Sequence, residues 1–210
     1  MTSKIRRRFR GEICGFGTTS GHRIVVGRWV DSPLGVFADV MHESPSGHRT
    51  LLAPNEAVAE FVQTTYTFDD VRIVPVTTLR TVTTLEVEAG ALVVRVGIGS
   101  RSGLGWALAA VPSRVATSPA WCRAIDPVAR VVMRGVRTRG TAGNDRVESY
   151  GATDMRVLTT VEGVLDHVDL GDLADVWPPV HFGFGSTPRT PSIVSVVTTI
   201  DETGRRPPTA

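Results

Sequence analysis

Asp39, His48, Glu148 and Tyr150 are the residues of this 210-residue chain whose types and settings suit acid/base work. Asp39 lies in the run Val36–Glu43. In a strand, Val36, Ala38, Val40 and His42 point one way, and Phe37, Asp39, Met41 and Glu43 point the other. With the Phe37/Met41 face inward, Asp39 is an acid between two apolar neighbours. Burial then raises its pKa unless an arginine pairs with it. Such a group serves as a general acid/base or a ligand anchor; the plainer alternative is a structural salt bridge. His48 and Arg49 follow the turn Ser44-Pro45-Ser46-Gly47. His48 has the chemistry of a proton shuttle, and Arg49 presents a fork to a carboxylate. A solvated hairpin end is the alternative for both.

The densest polar segment runs from Arg134 to Asp154. Alternation puts Arg146, Glu148, Tyr150, Ala152 and Asp154 on one face of a strand. Arg137 and Arg139 share a face of the strand before it. Cross-strand pairing of arginine with Glu148 or Asp154 is expected. Two readings stand. One is a polar barrel wall that recognises an anion, with Arg49, Arg137, Arg139 and Asp154 as ligand-binding residues and Asp39, His48, Glu148 and Tyr150 as catalytic ones. The other is an exposed hairpin laced with salt bridges.

Much chemistry is excluded. Lys4 is the only lysine, and the other basic residues are arginines. Lys4 sits in a charged N-terminal stretch, so no internal amine is available for a Schiff base, for pyridoxal phosphate or for a phosphate-cradling loop. The histidines His22, His42, His48, His167 and His181 show no metal-ligand spacing, and no metal or cofactor is expected. Gly183-x-Gly185 does not follow a strand into a helix, so it is no dinucleotide fingerprint. No G-x-S-x-G elbow is present. The segment Pro179–Pro188 suits a loop closing over a barrel mouth, or a packed structural loop. Gly27-Arg28-Trp29 matches the loose G-x-W of lipocalin-like barrels, and a core tryptophan is the simpler reading.

The elements that must position these residues are mostly strands. Runs rich in Val, Thr and Ile alternate with Gly, Pro, Asn and Asp. Phe9–Phe16 and Ile24–Val30 flank Gly17–Gly21 as a hairpin. Pro54-Asn55-Glu56 opens a helix over Ala57–Tyr66 with Asn55 as N-cap. Val71–Val76, Thr81–Val87 and Ala91–Ile98 are expected as strands. Gly103–Val111 and Pro119–Val132 suit helix, broken near Pro112 and Pro127. Arg134–Arg139, Arg146–Thr160 and Ser192–Ile200 return to strand, with a bulge expected at Gly151. The fold expected is mainly β: a curved antiparallel sheet closing into a barrel or sandwich, with two or three helical segments outside or at one end. One domain over 1–201 and a disordered tail over 202–210 complete the organisation.

The net charge of +2 is uneven: residues 1–10 carry five positive charges and the rest nets −3. No general basic surface for nucleic acid results, and the arginine run is expected to be a solvated, fraying terminus. Cys14 and Cys122 are expected as buried thiols. Nothing apolar is long enough to span a bilayer, and the expected location is the cytoplasm. Partners are then a small-molecule ligand and, in the open, a second copy; neither nucleic acid nor membrane is expected.

From Ser32 to Asp154 the chain resembles the acetoacetate decarboxylase-like barrel superfamily. The resemblance lies in Ser32-Pro33-Leu34-Gly35-Val36-Phe37 entering a strand, in Pro45-Ser46-Gly47 before a second one, in a helical excursion around Pro112, and in a late arginine-rich hairpin. It implies a conical barrel with an internal cavity and buried arginine and glutamate anchors; Arg49, Arg137 and Glu148 are candidates by chemistry. The decarboxylases of that family use a pocket lysine, and none is present here, so Schiff-base decarboxylation is not expected. The function expected is a β-barrel that binds a small anionic or carbonyl-containing molecule. The alternatives are a non-covalent acid/base enzyme, of lyase or hydrolase type, and a structural or interaction protein.

Overall fold

Gly17–Gly21 turns the chain between its first two strands, β1 (Lys4–Thr18) and β2 (Arg23–Asp31), in the computed structural model, which describes residues 4–132, 139–142, 146–183 and 187–203. β3 (Phe37–Glu43) and β4 (Arg49–Ala53) follow, then α1 (Glu56–Gln63), where Asn55 caps the helix by accepting from Val58 N at 3.0 Å. Next come β5 (Asp70–Ile73), β6 (Val76–Arg80), β7 (Thr84–Ala89) and β8 (Leu92–Arg101). The helical excursion is α2 (Gly103–Ala109), α3 (Ser113–Ala116) and α4 (Pro119–Val132). β9 (Arg139–Ala142), β10 (Arg146–Leu165), β11 (Val168–Asp169), β12 (Leu173–Ala174) and β13 (Ser192–Thr203) complete the chain.

One curled sheet runs in the order β5-β4-β3-β2-β1-β13-β10-β8-β7-β6, antiparallel except for the parallel β4/β5 pair. The curl brings the edge strand β6 back against β3. Among the described residues the fold is mainly β, a ten-strand half-barrel with four helices. Two apolar cores lie on its opposite faces. Inside the curl, Phe16, Ile24, Val40, Leu85, Val96 and Ile193 pack together. On the other face, Phe9, Val25, Met41 and Ile200 pack against Val58 and Val62 of α1. β3 is therefore buried on both sides.

Several boundaries differ from those expected. The run Val71–Val76 breaks at Pro75, which has no amide proton for a ladder. Thr81 follows the next strand and turns the chain: its N–H donates to the Thr84 carbonyl at 2.9 Å, and its hydroxyl accepts from Thr84 N at 3.0 Å. Pro127 lies within α4 rather than ending it. The arginine run is no fraying terminus: from Lys4 onward it is β1, paired with β13 from Lys4↔Thr203 inward. β13 reaches Thr203, two residues beyond the expected end of the domain, and residues 204–210 of the expected tail lie outside the described part. Neither Cys14 nor Cys122 forms a disulfide, and burial pushes the Cys14 thiol up to about 12 and the Cys122 thiol up to about 11.

Candidate functional site

Gly27 and Asp39 face each other across β2 and β3. A Cβ on Gly27 would lie 2.5 Å from Asp39 Oδ1 and 2.9 Å from Trp29 Nε1, so the missing side chain is what lets those two groups meet. Trp29 Nε1 donates to Asp39 Oδ1 at 3.2 Å. Asp39 is 4% exposed, and among the described residues no guanidinium pairs with it. Burial pushes its pKa up to about 7, against the lowering effect of the Trp29 hydrogen bond.

On β10, Glu148 and Tyr150 point to this same face, opposite Ile200 and Thr198 of β13. Tyr150 donates its hydroxyl proton to Glu148 Oε2 at 2.7 Å, and Thr65, just after α1, donates to Oε1 at 2.7 Å. The hydroxyls of Tyr66 and Tyr150 lie 3.1 Å apart. Burial holds both tyrosines above the ordinary phenol range; the Glu148 charge raises both further, and the Tyr66 phenol adds to the rise of Tyr150, whereas the bond with Tyr150 works against the rise of Tyr66. Asp39, Glu148 and Tyr150 thus line one pocket of about 60 Å³ between the sheet and α1. Its remaining walls are apolar: Phe9, Trp29 and Phe61, with Phe9 stacked on Phe61 at 4.7 Å, and aliphatic side chains such as Ile13, Val25 and Ile200.

The other predicted site residues are elsewhere. His48 is exposed at the β3–β4 turn. Arg49 grips Asp69 through Nε at 3.0 Å and Nη2 at 2.7 Å, and donates to the His181 carbonyl at 3.1 Å. It is a bracket between loops, not an anchor inside the curl. Arg137 lies outside the described residues, and of Arg139 only the backbone, in β9, is described. Asp154 does not share a face with Glu148 and Tyr150. The register of β10 against β13 slips between Ala152 and Asp154, leaving Thr153 as an extra residue. That bulge inverts the alternation and turns Asp154 to the opposite face, where Arg101 holds it at 2.7 and 3.0 Å. Gly151 is not the bulge itself; it admits α3, since a Cβ there would lie 2.6 Å from Thr117 Cα.

Arginines do gather, on that opposite face. Arg8 and Arg10 of β1, Arg28 of β2, Arg80 of β6, Arg114 of α3 and Arg156 of β10 line an open groove of about 1100 Å³. Glu12 is the one carboxylate among the lining residues. Its Oε2 lies 3.4 Å from Arg28 Nη1 and 3.4 Å from Arg80 Nε. The second contact is an ion pair by distance only, for the buried Arg80 Nε makes no hydrogen bond. Arg156 is 3.8 Å from Asp154, whose oxygens already serve Arg101. Among the described residues, Arg8, Arg10 and Arg114 have no ion-pair partner.

The Pro-rich segment 178–183 is a packed structural loop. Its Pro178 carbonyl accepts from Arg23, and its His181 donates through the main-chain N to Glu43 Oε2 at 2.6 Å. Arg23 and Glu43 face each other in the sheet as a buried ion pair at 3.2 Å. Among the described residues no group of three or more histidine, cysteine or acidic side chains is placed to hold a metal, and no helix is long and apolar enough to cross a membrane.

These features define a curled β-sheet protein with an acid–tyrosine pocket on one face and an arginine groove on the other. No family model and no curated protein matches the chain. Among solved structures it is similar to acetoacetate decarboxylase from Legionella pneumophila, with a TM-score of 0.36 and 12% identity over 96% of this chain and 84% of that one. A second acetoacetate decarboxylase structure gives a TM-score of 0.35 and 11% identity, over 94% and 85% of the two chains. At these values the likeness assigns no residue and no activity.

Proposed function

We propose that this protein binds a small, multiply charged organic anion in the arginine groove. The observation that carries the reading is the concentration of six guanidiniums around one open groove with a single carboxylate among the lining residues. Guanidinium forks match carboxylate and phosphate oxygens, and several together select for more than one negative charge. Arg28 and Arg80 are oriented by Glu12, while Arg8, Arg10 and Arg114 keep their donors for a ligand. The groove also has Ser113, Thr117 and Ser195 for hydroxyl contacts. Binding of this kind needs no amine, in keeping with the absence of any lysine beyond Lys4. Native mass spectrometry of the purified full chain tests it. An anionic adduct, or uptake of added pyrophosphate, is expected in the wild type and lost in an Arg10→Ala/Arg114→Ala double variant. A chain that carries no adduct and takes up no pyrophosphate overturns the reading.

A second reading is favoured by the meeting of Asp39, Glu148 and Tyr150 at one pocket. On that reading the protein is a non-covalent acid/base enzyme, with Asp39 or Glu148 exchanging protons and Tyr150 assisting. Turnover in a panel of small hydroxy and carbonyl compounds that disappears in Glu148→Gln and Tyr150→Phe supports it. Turnover that survives both substitutions overturns it.

A further inference from the structure

Both tyrosines of the chain, two carboxyls and three further aromatic rings surround the pocket, and no lysine, arginine or histidine is among its lining residues. Asp39 and Glu148 are 4% and 3% exposed. Among the described residues neither acid has a basic partner, and acids so deeply buried are costly as anions unless something cationic joins them.

Hydrogen-bond accounting says what that something must offer. The Trp29 N–H is spent on Asp39. The Thr65 and Tyr150 hydroxyl protons are spent on the two oxygens of Glu148. Because the Tyr150 proton is so used, Tyr66 must be the donor in the contact between the two phenols. Acceptors remain. Among the described residues, nothing donates to Asp39 Oδ2. Thr198, 4% exposed and set between Phe9 and Tyr150 on the pocket face, has a buried Oγ1 with no hydrogen-bond partner. The pocket thus keeps open lone pairs on Asp39 and Thr198, and aromatic rings as well as aliphatic side chains form its walls.

We propose that this pocket is a binding site for a primary ammonium group, seated among Asp39, Glu148, Thr198 and the rings of Trp29, Tyr66 and Tyr150. An ammonium has three N–H donors, which can serve the open acceptors on Asp39 Oδ2 and Thr198 Oγ1. Aromatic faces attract a cation in a desolvated site. The volume of about 60 Å³ exceeds the roughly 10–15 Å³ that one water needs, and leaves room for methylammonium or for the head of a longer amine. Trp29, Phe61, Tyr66 and Tyr150 are half-buried, so the pocket has a solvent-side edge through which a longer amine can extend. The site lies on the face of the sheet opposite the arginine groove, and it stands whether or not an anion binds there.

The test is a titration of the nitrogen-15-labelled full chain with methylammonium chloride, followed by the indole N–H resonance of Trp29. That resonance is the one missing from the spectrum of Trp29→Phe. A saturable shift is expected that sodium chloride of equal ionic strength does not produce. The dissociation constant should rise about tenfold or more in Glu148→Gln and several-fold in Thr198→Val, a near-isosteric change that keeps the strand. A Trp29 resonance that follows ionic strength alone overturns the proposal. So does binding of unchanged strength in Thr198→Val, which decides the matter even where Glu148→Gln does not fold.

Discussion

Glu148 and Tyr150 stand two residues apart on one face of β10, and the Tyr150 hydroxyl donates to Glu148 Oε2 at 2.7 Å. This bond makes a buried carboxylate and a buried phenol into a single unit, joined on its other side by Thr65 and through Tyr66 to the end of α1. Tyr150→Phe removes one of the two hydroxyl donors to Glu148 and leaves the Tyr66 hydroxyl without its acceptor. A loss of about 1–3 kcal/mol in unfolding free energy is expected. Denaturant titration measures it; a variant as stable as the parent contradicts the role of the bond.

The raised pKa of Asp39 makes stability depend on pH. The groups facing it in the pocket are Trp29, Tyr66, Glu148 and Tyr150. A carboxyl at 3.8 when unfolded and about 7 when folded binds its proton more tightly in the folded chain. Its contribution is therefore complete at low pH and is lost as pH rises through about 7. His42 acts in the opposite sense. It is lowered to about 4 by burial and by His22, and its contribution is lost as pH falls below 6.5 toward that value. Asp39→Asn isolates the first effect. The stability of the parent relative to this variant should grow by a few kcal/mol between about pH 8 and about pH 5. A difference that does not vary with pH contradicts the burial of an unpaired acid.

Glu43 ties the sheet to the Pro-rich loop through three contacts: Arg23 beside it in the sheet, and both the main chain and the ring of His181 in the loop. Glu43→Gln leaves the Arg23 guanidinium, 4% exposed, without its counter-charge. A loss of about 3–5 kcal/mol is expected from breaking a buried pair in this way. Thermal unfolding of the variant checks it, and an unchanged midpoint shows that the pair carries no net stability.

The pocket half of this arrangement was partly legible in the sequence. Strict alternation in Val36–Glu43 places Asp39 between Phe37 and Met41, and spacing by two places Glu148 with Tyr150. Asp154 was lost to the same rule, because alternation carries no mark of a bulge and the extra residue at Thr153 inverts everything after it. Thr65 and Tyr66 belong to the exit of a helix and reach Glu148 only through tertiary folding. The arginine groove is the larger omission. Arg8, Arg10 and Glu12 alternate along β1, which was a usable signal of a polar strand face. What turns that face into a groove is pairing with β13 some 190 residues away, and the curl that brings Arg80 to Glu12. Both are non-local, and a basic N-terminal run without a visible partner looks like a tail.

The central claim, that the groove binds a multiply charged anion, is tested most directly by calorimetric titration of the full chain with pyrophosphate at low and at physiological salt. One site is expected, weakening as salt rises because the groove is open to screening. The Arg10→Ala/Arg114→Ala double variant, whose two side chains have no ion-pair partner to release among the described residues, should bind at least about tenfold more weakly with its stability unchanged. Heats indistinguishable from dilution in the wild type, or equal affinity in the double variant, would contradict it.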